Sequence, residues 1–80
     1  MNYKFTIFAG ENMSQTSFIT YCIEHYADHV ARPSYAVYAE FKASGLLHLL
    51  RTDYDDLHGM GKEYLMQFFD RYLNQLPAQP

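Results

Sequence analysis

The chain has 80 residues, of which 49% are hydrophobic and 18% aromatic, and it carries a formal net charge of −3. This length supports one domain rather than two separate cores. The charged residues are spread along the chain without a Lys/Arg run, which argues against nucleic-acid binding and against attachment to a membrane surface. No apolar run approaches the roughly 20 residues that cross a bilayer.

The N-terminal segment has the pattern of a strand. Tyr3, Phe5 and Ile7 alternate with polar residues, and a period of two is typical of β structure. Because a single strand leaves its backbone hydrogen bonds unpaired, we expect residues 1–13 to form an extended or β-like arm. Such an arm is disordered, docked, or paired with another molecule. The segment does not resemble a signal peptide, and the lone Cys22 cannot form an internal disulfide, so we predict a cytoplasmic protein.

The periodicity becomes helical from Ser14 onward. Ser14 or Ser17 is a suitable N-cap for a first helix, and Pro33 stops it by disfavouring helical geometry at Arg32. A single apolar stripe along this helix is predicted to be buried. It comprises Phe18, Ile19, Cys22, Ile23, Tyr26, Ala27 and Val30.

Three further helical segments follow in chain order. Pro33 and Ser34 open a second helix that ends at Ser44-Gly45, where glycine provides a left-handed cap; Val37, Tyr38 and Phe41 are its predicted buried side. A short helix runs from Leu46 to about Thr52. The polar residues 53–61 predict a turn or a loose helical turn.

The last helix is predicted from about Lys62 to Leu76, where Pro77 ends it. It has a broad apolar face, formed by Tyr64, Leu65, Phe68, Phe69, Tyr72, Leu73 and Leu76. Short connections favour neighbouring helices. The fold class predicted is therefore all-α: a compact bundle of three to four short helices over residues 14–76, with the N-terminal arm (1–13) and a frayed tail (77–80).

Several motifs together resemble a known family. They are Phe18-x-x-Tyr21-Cys22-Ile23-Glu24-x-Tyr26-Ala27, Ser34-x-x-Val37-Tyr38-x-x-Phe41, Gly45-Leu46, Tyr54-Asp55-x-Leu57-His58-x-x-Gly61-x-Glu63-Tyr64-Leu65 and Tyr72-Leu73. In order and separation they are similar to a small bacterial family of unknown function, over residues 18–73. The resemblance implies a cytoplasmic helical protein without known catalytic activity. Members are often encoded beside toxin-like proteins that resemble ADP-ribosyltransferases, which suggests an antitoxin-like or accessory role. Residues 1–13 are not part of the family pattern.

Candidate sites for chemistry are weak. Cys22 lies on the apolar stripe, so a core role is favoured over a nucleophilic one. His25 and His29 have the i, i+4 spacing of two metal ligands on a helix, but no third ligand is indicated. Asp53, Asp55 and Asp56 lack the ligand pattern of a calcium loop and are better interpreted as cap or surface charges. His58 is predicted to hold a turn by hydrogen bonds rather than to act as a base. We predict no metal and no cofactor.

The aromatic excess indicates protein binding. We therefore predict a non-catalytic module that contacts a toxin-like partner, with a homodimer also open. The predicted contact residues are Tyr3, Phe5, Ile7, Tyr21, Tyr35, Tyr38, Tyr54 and Tyr64. One alternative is a small helical DNA-binding regulator using residues 34–50 as a helix-turn-helix, although the chain offers few phosphate contacts. The other is an enzyme built on Cys22 or the histidine pair.

Overall fold

A computed structural model of the chain describes residues 14–75 and places five helices there. They are α1 (Gln15–Val30), α2 (Ser34–Ser44), α3 (Leu46–Thr52), α4 (Tyr54–Leu57) and α5 (Lys62–Gln75). Within this range there is no strand, and the all-α prediction is confirmed. The helix count exceeds the predicted three to four because part of the 53–61 segment closes as the single turn α4. The predicted arm (1–13) and tail (77–80) lie outside the described residues.

The ends of the helices follow local chemistry. The Ser14 hydroxyl accepts a hydrogen bond from the backbone N–H of Ser17 at 3.1 Å, so Ser14, rather than the alternative Ser17, caps α1. At the other end, Ala31 adopts a left-handed conformation (φ 56°), and the next backbone N–H, that of Arg32, bonds the Ala27 carbonyl at 3.0 Å. The reversal into α2 is therefore made at Ala31, two residues before Pro33.

The core is apolar throughout. Among the described residues, those buried are Phe18, Cys22, Ile23, Tyr26, Ala27, Val37, Phe41, Leu46, Leu47, Leu50, Leu57, Leu65, Met66 and Phe69. Every helix contributes at least one of them. No described helix has both the length and the apolar character needed to cross a membrane.

Two predictions of buried faces are corrected by the packing. Tyr38 was expected on the buried side of α2, but it is 44% exposed, whereas Val37 and Phe41 are fully buried. Tyr64 is likewise exposed on α5, and Met66 is buried instead. Successive helical residues differ by about 100° around the axis. The neighbouring helices therefore cover Val37 but not the adjacent Tyr38, and they cover Leu65 but not the adjacent Tyr64.

Three aromatic rings join the three longest helices. Tyr26 of α1, Phe41 of α2 and Phe69 of α5 have ring centroids separated by 5.6 Å (Tyr26–Phe41), 5.8 Å (Tyr26–Phe69) and 5.3 Å (Phe41–Phe69). These tilted and edge-on arrangements are the favoured ones for aromatic pairs. We call these residues the aromatic triangle. It fixes α2 and α5 against the same turn of α1.

The α2–α3 turn depends on glycine. Gly45 has φ 89°, and a Cβ placed there would lie 3.3 Å from the Tyr72 hydroxyl oxygen. That hydroxyl donates to the Ser44 carbonyl at 3.1 Å, which joins the turn to α5. Gly45 thus provides both the left-handed backbone and the space for this bond.

We expect Gly45→Ala to lower the free energy of unfolding by about 1–2 kcal/mol, because alanine is strained at this φ and crowds Tyr72. Urea unfolding followed by circular dichroism measures the change. Gly59→Ala is the matched control, since its Cβ would meet no atom within 4 Å. Equal stability of the two variants would contradict this account of the turn.

Candidate functional site

An open groove of about 400 Å³ lies between α1 and α5. Its walls carry acid, basic and amide side chains over the buried Met66. The lining residues are His25, Asp28, His29, Lys62, Glu63, Met66 and Gln67. Of these, sequence reasoning had singled out the two histidines; the α5 residues were missed, because no local motif marks them as facing α1.

Asp70 holds His29, one of the two histidines of the groove, in place. The Tyr26 hydroxyl donates to Asp70 Oδ1 at 2.7 Å, and His29 Nε2 lies 2.8 Å from Asp70 Oδ2. The hydrogen bond from His29, followed by that from Tyr26, lowers the pKa of Asp70 below its usual value. Burial, with the neighbouring Asp70 carboxylate as a second cause, raises the pKa of the Tyr26 hydroxyl. Asp70 is therefore a stable carboxylate that ties α5 to the end of α1.

The two histidines share the groove but have different neighbours. His29 bonds Asp70, while the ring of His25 packs edge-on against Tyr21 with centroids 4.4 Å apart. Among residues 14–75, no group of three or more His, Cys, Asp or Glu side chains is arranged to hold a metal ion. The two histidines, spaced i, i+4, thus lie on the side of α1 that lines the groove, and each contacts a different residue.

Cys22 is fully buried in the core, as the apolar stripe predicted. Burial raises the pKa of its thiol to about 12. Because the thiolate is the reactive form of cysteine, this environment keeps Cys22 in its unreactive form.

His58 and Tyr54 form a small aromatic cap over Phe18. The His58 and Tyr54 rings stack at 4.4 Å, and Tyr54 meets the Phe18 ring edge-on at 5.7 Å. His58 Nδ1 also lies 2.8 Å from the Tyr54 carbonyl oxygen. His58 thus holds the turn of α4 rather than the start of α5. Asp53 occupies the N-cap position of α4, but its side chain makes no cap hydrogen bond.

The predicted contact tyrosines separate into two groups. Tyr35 is 78% exposed, and Tyr38 and Tyr64 are exposed at 44% and 46%. Tyr21 and Tyr54 are half-buried against the core. The remaining predicted contacts, Tyr3, Phe5 and Ile7, lie outside the described residues.

Tyr64 belongs to a row of rings along α5. Its ring is stacked on that of Phe68, with centroids 6.3 Å apart and planes within 4°, and Phe68 is 6.3 Å from Tyr72. We call Tyr64, Phe68 and Tyr72 the α5 aromatic row. Their i, i+4, i+8 spacing was visible in the sequence, but it was interpreted as part of one broad buried face.

The family profile described as protein of unknown function, DUF3791, matches residues 17–75. The chain belongs to this family. The resemblance to a family of unknown function, placed at residues 18–73 from the motifs, is thereby confirmed. Neither the search of curated proteins nor that of solved structures finds a match.

The hydrogen bonds of Asp70 should make the free energy of unfolding fall as the pH becomes acidic. Because the pKa of Asp70 is lowered on folding, its stabilisation is complete above the ordinary aspartate pKa of about 4 and is lost as the pH falls below it. We expect Asp70→Asn to cost about 1 kcal/mol at pH 7, a modest value since the pair is partly solvated. The cost should shrink towards pH 3.

Thermal unfolding at pH 7 and pH 3 measures this difference. Asp28→Asn is the control: it removes a negative charge from the groove that His29 lines, but no side-chain hydrogen bond within residues 14–75 involves Asp28. A loss of stability that is equal for both variants, or that is independent of pH, would contradict the assignment.

Cys22 should resist thiol reagents in the folded protein. At pH 8 we expect labelling by a disulfide reagent to be at least about a hundredfold slower in native buffer than in urea, because both exposure and thiolate formation need the core to open. Absorbance of the released thiolate follows the reaction. Rapid native labelling would show that α1 does not hold Cys22 in the core.

Proposed function

We propose that this protein is a non-catalytic binding module whose α5 aromatic row contacts a partner protein. The observation that carries the proposal is the exposed Tyr64 ring stacked on Phe68. The core is closed without Tyr64, since Leu65 and Phe69 of the same helix are fully buried. An aromatic ring that folding leaves in water is suited to burial by another molecule.

The chemistry around the row fits a protein surface. The parallel rings of Tyr64 and Phe68 present apolar surface, and Arg71, exposed three residues after Phe68, adds a charge at its edge. Aromatic and arginine side chains are enriched at the contacts that contribute most to binding. Tyr72 is anchored at one end of the row by its hydrogen bond to the Ser44 carbonyl at the end of α2, so this ring needs little ordering on binding.

For the partner, we propose a toxin-like enzyme encoded beside this protein, which makes the module antitoxin-like or accessory. This part of the proposal rests on the family resemblance and on its implied gene neighbours. Masking an enzyme requires a stable folded surface rather than a catalytic group, and the α5 aromatic row is such a surface. We also propose that the protein acts in the cytoplasm, where the lone buried Cys22 is compatible with a reducing environment.

We expect Tyr64→Ala to weaken binding of the protein encoded by the adjacent gene by at least about tenfold, which is about 1.4 kcal/mol. Affinity co-purification and titration calorimetry measure the loss. Met60→Ala is the control, because Met60 is similarly exposed (42%) but lies outside the row. Unchanged binding by Tyr64→Ala would remove the row from the interface, and absence of any complex would overturn the choice of partner.

A further inference from the structure

A second exposed surface lies on α2. Val37 and Phe41 of this helix are fully buried, and its opposite side carries Tyr35, Tyr38, Ala39 and Lys42, all exposed. These four residues have i, i+3, i+4 and i+7 spacing, so they form one continuous face. We call them the α2 outer face. It combines two large rings, one small side chain and one cation.

We propose that the α2 outer face binds the same face of a second copy of this chain in an antiparallel, twofold-symmetric pair. In such a pair the two helices run in opposite directions, so the residue numbers of any two residues that face each other add up to the same value. If Tyr38 of one copy meets Ala39 of the other, Tyr35 of one copy meets Lys42 of the other. Both juxtapositions are then made twice.

Each juxtaposition is complementary. Tyr38 is large and Ala39 is small, so the ring of one copy fills the space above the alanine of the other, as in close helix packing. Lys42 faces the ring of Tyr35, which attracts a cation. The face is therefore complementary to itself in size and in the attraction of a cation for an aromatic ring, which favours a second copy over an unrelated protein as its occupant.

A nearby carboxylate strengthens the pairing. The Ser34 hydroxyl donates to Glu24 Oε1 at 2.7 Å, which holds Glu24 of α1 beside the first turn of α2. In the antiparallel pair, Lys42 of the second copy arrives at that same turn. Lys42 takes part in neither of the ion pairs found within residues 14–75, so it is available to Glu24 of the other copy.

The pair is expected to be weak and concentration-dependent. α2 has 11 residues, about 16 Å of helix, so its contact is smaller than that of a standard stable interface. We expect a dissociation constant on the order of micromolar. The α5 aromatic row is on a different helix, and this inference does not depend on the proposed function.

Sedimentation equilibrium of the full chain between about 1 µM and 1 mM tests the proposal. The apparent mass should rise from 9.4 kDa towards twice that value. Ala39→Glu and Lys42→Glu should each weaken the dimer by at least about tenfold. Both positions are exposed, so helical circular dichroism should be unchanged. Tyr64→Ala, at an equally exposed ring outside the face, should dimerise as the wild type does.

Charge reversal provides the decisive comparison. Glu24→Lys should also weaken the dimer, and the double variant Glu24→Lys/Lys42→Glu should recover most of it; a folding defect from the lost Ser34 bond would not be rescued in this way. A chain that is monomeric at every concentration would overturn the proposal. So would a dimer unaffected by Ala39→Glu, a double variant no better than the single ones, or loss of the dimer in Tyr64→Ala. If the wild-type chain is monomeric at every concentration and Ala39→Glu nevertheless loses binding to the adjacent-gene protein, the face belongs to that protein instead.

Discussion

The aromatic triangle of Tyr26, Phe41 and Phe69 is the contact on which the arrangement of the helices depends. Each ring comes from a different helix, and each is within 6 Å of the other two between centroids. A short chain buries a smaller fraction of its surface on folding than a long chain does. The large aromatic rings at the centre therefore provide a large share of the area that this chain buries. Because Tyr26 also donates to Asp70, the same residue joins α1 to α5 by a polar contact at the edge of the core.

This economical core explains why aromatic rings remain outside. Helices α2 and α5 each bury one stripe of side chains, and neither has enough neighbouring helices to cover a second side. Tyr35 and Tyr38 are therefore left on α2, and Tyr64 on α5. The two surfaces differ in character: the α5 aromatic row consists of three neighbouring aromatic rings, whereas the α2 outer face combines large, small and charged side chains. We propose the first for a partner protein and the second for a second copy of the chain.

The groove between α1 and α5 shows how a local motif changes meaning in a fold. His25 and His29 share one side of α1, which is the spacing of a metal-binding pair. In the fold, His29 forms a hydrogen bond with Asp70, which lies 41 residues later in the chain. The ring of His25 packs against that of Tyr21. The spacing correctly predicted that the histidines lie on one face; the residue that contacts each of them came from the packing.

The sequence alone determined the helical class, most helix ends and the family, because caps, turns and apolar stripes depend on residues a few positions apart. Ser14 was one of two predicted caps, and Gly45 was predicted in its observed role. All five buried residues of α1 belong to the predicted stripe, whose Ile19 and Val30 are only partly buried. Only the tertiary structure decided that Tyr38 faces outwards, that Met66 faces inwards and that Asp70 bonds Tyr26 and His29. A helix with apolar residues on more than one side does not specify which side is covered, since that depends on where its neighbours pack.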